Sequence, residues 1–446
     1  MASTASPSPA LSLNREILRL AVPALGALVA EPAFLILDSV MVGHLGTSPL
    51  AGLGIASAVL QTIVGLMIFL AYSTTPAVAR RFGAGKPGDA VSVGIDGMWF
   101  ALGLGAVLAV AGSLASPALV AAFGASDAVS AEAQTYLSIS MWGLPAMLIV
   151  FAATGLLRGM QDTMTPLWIA GLGFGANALL NWIFIYGLGW GIAGSAFGTV
   201  AAQWGMVAAY VVVIRRLALK HGASMRAQRN GIRGTARSGG WLFLRTVSLR
   251  VALLATVGVA TGIGTQELAG WQIAFTIFST AAFALDALAI AAQAMIGRSL
   301  GSGDVAQVDR VLRRTVAWGA WFGVIVGAVI AALSGVMGIV FTGDAEIGAL
   351  VQPAFLVLAV AQPIAGIVFV LDGVLMGAND ARYLAIAGLL NLLPFLPVLG
   401  IIAATGVDGS AGLVWLAVAF FGVYLLARLG TLSWRVRTDA WTRIAA

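Results

Sequence analysis

Five acidic side chains fall inside long apolar segments of this 446-residue chain. They are Glu31, Asp38, Asp96, Asp286 and Asp372. A charge at the centre of a bilayer costs roughly 2.5–3.5 kcal/mol on insertion scales, so such residues usually face a cavity or a partner. Arg250 is the one base that we place equally deep, whereas Asp96 lies nearer the end of its segment. Because the acids outnumber the base, we expect some of them to lack a basic partner and to titrate.

The first apolar segment combines acids with a proline. Glu31 and Asp38 are seven residues apart, which is about two helical turns, so both side chains point the same way. Pro23 precedes them and interrupts the hydrogen bonding of the helix, which permits a bend. An acid and a bend on one helix predict a switch in which protonation changes the preferred shape of the helix.

Polar side chains also recur at helical spacing in two later segments. Asn177 and Asn181 are four residues apart, as are Thr199 and Gln203. The asparagine amides are suited to hydrogen bond a carboxylate or to coordinate a cation. Amides that only hold neighbouring helices together would show the same spacing, and the sequence leaves both interpretations open.

Arg250 is predicted to pair with Asp286 or Asp372, because a buried unpaired charge is costly. Asp286 is favoured, since its segment directly follows that of Arg250. Two interpretations stay open for this pair: a static lock between helices, or a polar network for substrate or gating. We assign a wider set to the cavity or its gate: Pro23, Phe34, Tyr136, Thr154, Gln203, Arg250, Asp286 and Asp372.

The composition indicates that lipid surrounds these residues. Hydrophobic residues make up 60% of the chain and charged residues 9%, whereas a soluble domain carries about 25% charged residues. A spanning helix needs about 20 mostly apolar residues. Twelve stretches meet this need: 16–43, 50–79, 91–121, 131–157, 165–188, 193–217, 241–263, 268–297, 311–341, 348–376, 382–404 and 411–432. The predicted fold class is therefore an all-α integral membrane protein.

The chain repeats itself at a fixed offset. A single shift along the chain carries Gly46-Thr-Ser-Pro-Leu-Ala-Gly52 onto Gly264-Thr-Gln-Glu-Leu-Ala-Gly270 and Pro145 onto Pro363. A parallel repeat in an apolar chain is typical of transporters whose two lobes move about a central site. The acids are not repeated, so the lobes are expected to differ in chemistry.

The repeat and the spans together divide the chain into five parts. We predict a disordered tail over 1–14, an N-terminal lobe of six helices over 15–217 and a cytoplasmic linker over 218–240. A second lobe of six helices follows over 241–432, with a cytoplasmic tail over 433–446.

Positive charge orients the twelve spans. Lys and Arg cluster in every second connection, and the remaining connections carry acids such as Asp127 and Glu267. Cytoplasmic loops carry the excess of Lys and Arg, so both termini are predicted to be cytoplasmic in a multi-pass protein of the cell membrane. This assignment places Arg245 and Arg428 in the cytoplasmic set. No folded basic face supports binding to nucleic acid.

Several other functions are excluded by the residues. His44 and His221 are predicted to lie on opposite sides of the membrane, so they do not share a metal. The glycine-rich runs lie inside spans and lack the strand–turn–helix context of nucleotide loops. The chain has no cysteine and no nucleophile–base–acid set, so we predict neither an enzyme nor a bound cofactor.

Three motifs resemble the multidrug and toxic compound extrusion (MATE) family and its DinF-like branch. They are Leu37-Asp-Ser-Val-Met-Val-Gly-His-Leu-Gly46, Leu371-Asp-Gly373 with Gly377-Ala-Asn-Asp380, and Ala291-Ala-Gln-Ala294 with Gly297-Arg298. The resemblance covers residues 15–435. It implies two six-helix lobes in a V-shaped arrangement, and export of organic compounds driven by inward flow of H⁺ or Na⁺.

The resemblance also implies roles for individual residues. Asp38 matches the coupling acid, Pro23 the proline at which its helix bends, and Asn177 a polar partner. Relatives often have an acid where Asn181 stands. Fewer anionic ligands weaken Na⁺ binding, because desolvating Na⁺ requires charge compensation. The expected coupling ion is therefore H⁺, with Na⁺ as the alternative.

The expected cargo is a small amphipathic organic compound that is cationic or neutral, carried by a monomer. The alternatives are a lipid-linked precursor flippase of the same superfamily and a membrane-embedded enzyme. Several basic residues in the cleft would favour the flippase, and a catalytic set would favour the enzyme.

Overall fold

A computed structural model describes residues 9–342 and 345–443, except for the side chains of 9–11, 31, 337–342 and 345–347. Twelve helices in this part of the chain are long and apolar enough to cross a membrane. They are α1 Pro9–Gly43, α2 Thr47–Gly83, α3 Pro87–Ala121, α4 Asp127–Gly159, α5 Met164–Gly187, α6 Gly191–His221, α7 Arg229–Ile263, α8 Thr265–Gly301, α9 Val305–Thr342, α10 Ala345–Gly377, α11 Ala381–Thr405 and α12 Gly409–Arg437. A short α13, Ala440–Arg443, follows. The prediction of twelve spans is confirmed.

Helices extend into three segments that the sequence predicts as tails or linker. Helix α1 begins at Pro9, inside the predicted disordered tail, because proline fits the first turn of a helix. The predicted linker 218–240 is mostly helical, and only 222–228 lies outside α6 and α7. The Asp96 carboxylate accepts a hydrogen bond from the backbone N–H of Gln228 at 2.7 Å. This places a negative charge at the N-terminus of α7, where it interacts favourably with the helix dipole. Helix α12 continues to Arg437, inside the predicted C-terminal tail.

The chain forms two compact units. The N-terminal unit is Val22–Gly239, and the C-terminal unit is Gly240–Ala446 together with the residues up to Ala21. The unit boundary in α1 therefore lies after residue 15, at which the predicted N-terminal lobe begins. The start of α1 belongs to the C-terminal unit, in which Glu16 pairs with Arg298 at 3.1 Å. The unit boundaries at Val22 in α1 and Gly240 in α7 are themselves related by the offset of the sequence repeat.

The two units repeat their helix contacts at the offset seen in the sequence. A β-carbon on Gly105 would lie 2.5 Å from Cα of Pro145, and one on Gly323 would lie 2.6 Å from Cα of Pro363. Close approach of backbones at glycine is how membrane helices pack. The left-handed backbone also recurs, at Gln161 (φ 66°) and Asn379 (φ 58°). The sequence repeat is therefore a repeat of three-dimensional contacts.

Two glycines of α3 provide a matched test of this packing. We expect Gly105→Ala to lower the free energy of unfolding by about 1–3 kcal/mol, because the new methyl group would overpack the contact with Pro145. Nothing lies within 4 Å of a β-carbon on Gly103. Gly103→Ala should therefore be neutral or stabilising by up to about 1 kcal/mol, through helix propensity. Thermal unfolding of both variants in detergent checks this, and equal effects would contradict it.

Candidate functional site

Asp38 is a buried carboxylate at the meeting point of four helices of the N-terminal unit. The residue is 3% exposed. The hydroxyl of Ser195 donates to it at 2.6 Å, the amide of Asn181 at 2.9 Å and the hydroxyl of Tyr136 at 3.3 Å. These donors come from α6, α5 and α4, and Asp38 itself lies on α1. The fold therefore brings together residues that are far apart in the sequence.

The sequence of α1 explains why Asp38 is buried. Asp38 and Val42 are one turn apart and both point into the unit, whereas Ile36 and Val40 are 65% and 51% exposed on other faces. Val42 belongs to an apolar cluster that includes Leu53, Leu137 and Ile185. In such surroundings hydrogen bonds are strong and an uncompensated charge is costly.

The hydrogen-bonding partners of Asp38 carry no charge. Among the described residues, the bonds to Asp38 come from two hydroxyl groups and one amide. Ser195 and Asn181 both donate to Oδ1 of Asp38, which holds the two side chains next to each other. This arrangement suits a carboxylate whose charge is balanced by a mobile cation or is removed by a proton.

A second layer of polar groups adjoins the Asp38 site. Asn177 donates to the hydroxyl of Thr199 at 3.0 Å. The Oδ1 atoms of Asn177 and Asn181 are buried and have no hydrogen-bond partner in the described part of the chain. A β-carbon on Gly198 would collide with Oδ1 of Asn181. Glycine at position 198 therefore leaves room for the amide that holds Asp38.

The structure brings together five of the predicted residues and separates others. Asp38, Asn177, Asn181, Thr199 and Tyr136 form the site described above. Elsewhere in the unit, Phe34 stacks on Phe174 at 5.3 Å. Thr154 shares a hydrogen bond with Tyr210 at 2.8 Å.

Two further predicted residues lie outside the Asp38 hydrogen bonds described above. Gln203 is half-buried and lies against Gly143. Pro23 is buried in α1. The side chain of Glu31 is outside the described residues.

Ser195 is the member of the site that the sequence analysis missed. It donates the shortest of the three hydrogen bonds to Asp38. One signal was present, because Ser195 lies one helical turn before Thr199 and shares its face of α6. A serine in an apolar helix is otherwise common at helix contacts, so spacing alone did not distinguish it.

In the C-terminal unit the predicted pairing of Arg250 was wrong. Asp372 pairs with Arg245 at 2.8 Å and with Arg428. Arg250 is exposed and forms no ion pair with Asp286 or Asp372 among the described residues. Five residues along a helix correspond to a rotation of about 140°, so Arg250 points away from the face on which Arg245 reaches Asp372. Asp286 is half-buried on α8.

The two units place different chemistry at equivalent positions. The offset that carries Gly46 onto Gly264 also carries Thr154 onto Asp372 and Tyr210 onto Arg428. The N-terminal unit therefore has a neutral hydroxyl pair where the C-terminal unit has a buried ion pair. Conversely, Asn181 and Ser195 correspond to Leu399 and Leu413. The scaffold is shared, whereas the Asp38 site and the Asp372 ion pairs each occur in one unit only among the described residues.

The chain is similar to known transporters over nearly its whole length. The MatE family model matches residues 23–183 and 243–402, one match in each half. Protein DETOXIFICATION 44, chloroplastic, of Arabidopsis thaliana is 29% identical over 98% of this chain and 85% of that protein. DNA damage-inducible protein F of Escherichia coli is 26% identical over 87% of each chain.

Solved structures show the same fold. The Vibrio cholerae MATE transporter VcmN in its bent form aligns with a TM-score of 0.86 and 19% identity, covering 98% of this chain and 97% of that one. A transporter of the MOP superfamily from Pyrococcus furiosus aligns with a TM-score of 0.84 and 21% identity, covering 98% and 99%. Members of the matched family are transporters, not enzymes. The chain therefore belongs to the MATE family, the multidrug and toxic compound extrusion transporters.

Proposed function

We propose that the protein is a proton-driven antiporter that exports small amphipathic organic compounds. The observation that carries this proposal is the burial of Asp38 among uncharged partners. A buried carboxylate without a basic partner is neutralised either by taking up a proton or by binding a cation. Cationic and neutral compounds are the cargo that suits a buried carboxylate whose described hydrogen-bonding partners are uncharged.

The coupling step follows from the donors around Asp38. An ionised carboxylate only accepts hydrogen bonds, whereas a protonated one must also donate. Protonation therefore forces a rearrangement among Ser195, Asn181 and Tyr136. Helix α1 transmits the change, because Pro23 lacks the N–H that would hold the helix straight. Pro23 also lies next to the boundary between Ala21 and Val22 at which α1 passes from one unit to the other. The bend displaces the cargo.

The pattern of Lys and Arg supports a location for this activity. We expect a multi-pass monomer in the cell membrane with both termini in the cytoplasm. DETOXIFICATION 44 is named as chloroplastic, which describes that relative alone. Cysteines introduced at the two termini, labelled from either side of sealed vesicles, would test the orientation.

Sodium is the alternative coupling ion. The buried Oδ1 atoms of Asn177 and Asn181 are suitable ligands, but Asp38 supplies the only carboxylate in the hydrogen-bonded set described here. We expect a pH gradient alone to drive export of ethidium from proteoliposomes in Na⁺-free buffer. Asn181→Asp should raise the dependence on Na⁺, because a second carboxylate compensates the charge of the ion. Strict dependence of the unmodified protein on Na⁺ would overturn proton coupling.

Gly198 tests whether the geometry of the site matters for transport. We expect Gly198→Ala to reduce proton-driven export severalfold, because the added methyl group displaces the Asn181 amide from Asp38. Gly205→Ala is the control on the same helix, since a β-carbon there meets nothing within 4 Å. Both variants are measured in proteoliposomes at equal protein content. Equal export by the two variants would show that transport does not depend on the position of the Asn181 amide.

A further inference from the structure

Arg428 belongs to a buried cluster of charged side chains in the C-terminal unit. The residue is 8% exposed, Arg245 is 9% and Asp372 is 5%. Both guanidinium groups meet the same carboxylate oxygen, Oδ2 of Asp372. The charge pattern of the sequence predicts that both arginines belong to cytoplasmic connections.

The hydrogen-bonding capacity of Arg428 is only partly used. A guanidinium group has five N–H donors in a planar fork. Nη2 reaches Asp372, and the described residues offer no hydrogen-bond acceptor to Nε or Nη1. The side chain is 10% exposed, so it is not completely closed off. Phe369 and Tyr424 flank the group, with ring centroids 5.9 and 6.0 Å from its Cζ.

The hydroxyl group of Tyr424 is a second donor without a partner. Tyr424 is 2% exposed, and within the described part of the chain its hydroxyl makes no hydrogen bond. Such buried groups are normally satisfied, because an unmet buried donor is costly. Tyr424 ends a π-helical segment of α12, Val418–Tyr424. Segments of this kind are rare and occur frequently at functional sites.

The N-terminal unit shows that the fold does not require these charges. At the positions equivalent to Asp372 and Arg428 it has Thr154 and Tyr210, which satisfy each other at 2.8 Å. A neutral pair therefore serves the same helix contact.

We propose that Arg428 and Tyr424 bind a singly charged anionic group, either the carboxylate of an organic compound or an inorganic anion. The guanidinium fork matches the geometry of a carboxylate. The flanking rings of Phe369 and Tyr424 provide an apolar wall for the body of such a compound. The site extends the cargo beyond the cationic and neutral compounds proposed above, and it does not depend on the coupling ion.

Benzoate binding to the full-length protein in detergent micelles tests this site. Sodium benzoate should raise the thermal unfolding temperature saturably at constant ionic strength, whereas its neutral isostere benzamide should not. Tyr424→Phe should weaken binding about tenfold, the value of one hydrogen bond to a charged group. Tyr210→Phe is the matched control in the other unit and should bind benzoate like the unmodified protein. Asp372→Asn should bind more tightly, because it removes the competing negative charge.

Three outcomes complete the test. Preference for benzoate over chloride, together with export of labelled benzoate from proteoliposomes, identifies an organic cargo. Equal affinity for chloride and benzoate, lowered alike by Tyr424→Phe, identifies an inorganic anion site. The proposal is overturned if the unmodified protein binds benzoate no better than benzamide, or if Tyr424→Phe and Tyr210→Phe bind it equally.

Discussion

Asp38→Asn is expected to reduce gradient-driven export to the level of liposomes without protein. The asparagine has the same shape, and its amide oxygen still accepts from Ser195 or Asn181, so the helices remain packed. It has no titratable group, so the charge change that we propose for the coupling step is lost. Efflux of ethidium under an imposed pH gradient measures this effect.

Asp96→Asn is the control for Asp38→Asn. Asp96 is a second buried acid of the same unit, 2% exposed, but its oxygen accepts the backbone N–H of Gln228 at the start of α7. An asparagine performs the same capping role. We therefore expect Asp96→Asn to retain export. Normal export by Asp38→Asn, with an intact response to pH, would show that Asp38 does not take part in the coupling step.

Asp372→Asn is expected to cause the largest loss of stability. It leaves the guanidinium groups of Arg245 and Arg428 without their shared carboxylate. Breaking a buried ion pair by removing one partner typically costs about 3–5 kcal/mol. Chemical unfolding in detergent, in buffer without added carboxylate, measures this loss.

Thr154→Ala is the matched control, since Thr154 occupies the equivalent position in the N-terminal unit. It removes one neutral hydrogen bond to Tyr210, so the expected loss is about 1 kcal/mol. A loss for Asp372→Asn no larger than this would show that the ion pair contributes little.

The repeat made much of the fold predictable. One fixed offset related Pro145 to Pro363, and the structure shows both prolines in the same contact with a glycine of the preceding helix. Such close contacts require glycine on one of the two helices, so both halves must have glycine at equivalent positions. Element ends were less predictable, because the start of α7 depends on Asp96, which lies 132 residues from Gln228.

The Asp38 site was only partly predictable. Asp38, Asn177 and Asn181 stand out because polar side chains are costly in lipid. Ser195 did not, since a serine satisfies its own hydroxyl readily within a helix. The C-terminal centre was misassigned for a different reason. The positive-inside pattern counts Arg245 and Arg428 with the loops, but long helices carry them past the loops to a buried carboxylate.

Infrared difference spectroscopy of the carboxyl groups tests proton coupling most directly. Membranes containing the protein are titrated with acid in Na⁺-free buffer, and the C=O stretch of protonated carboxylic acids is recorded. We predict a band, distinct from that of the exposed carboxyl groups, that grows in the unmodified protein and in Asp96→Asn and that is missing from Asp38→Asn. The same band at full intensity in Asp38→Asn would show that another group carries the proton, and would contradict the central claim.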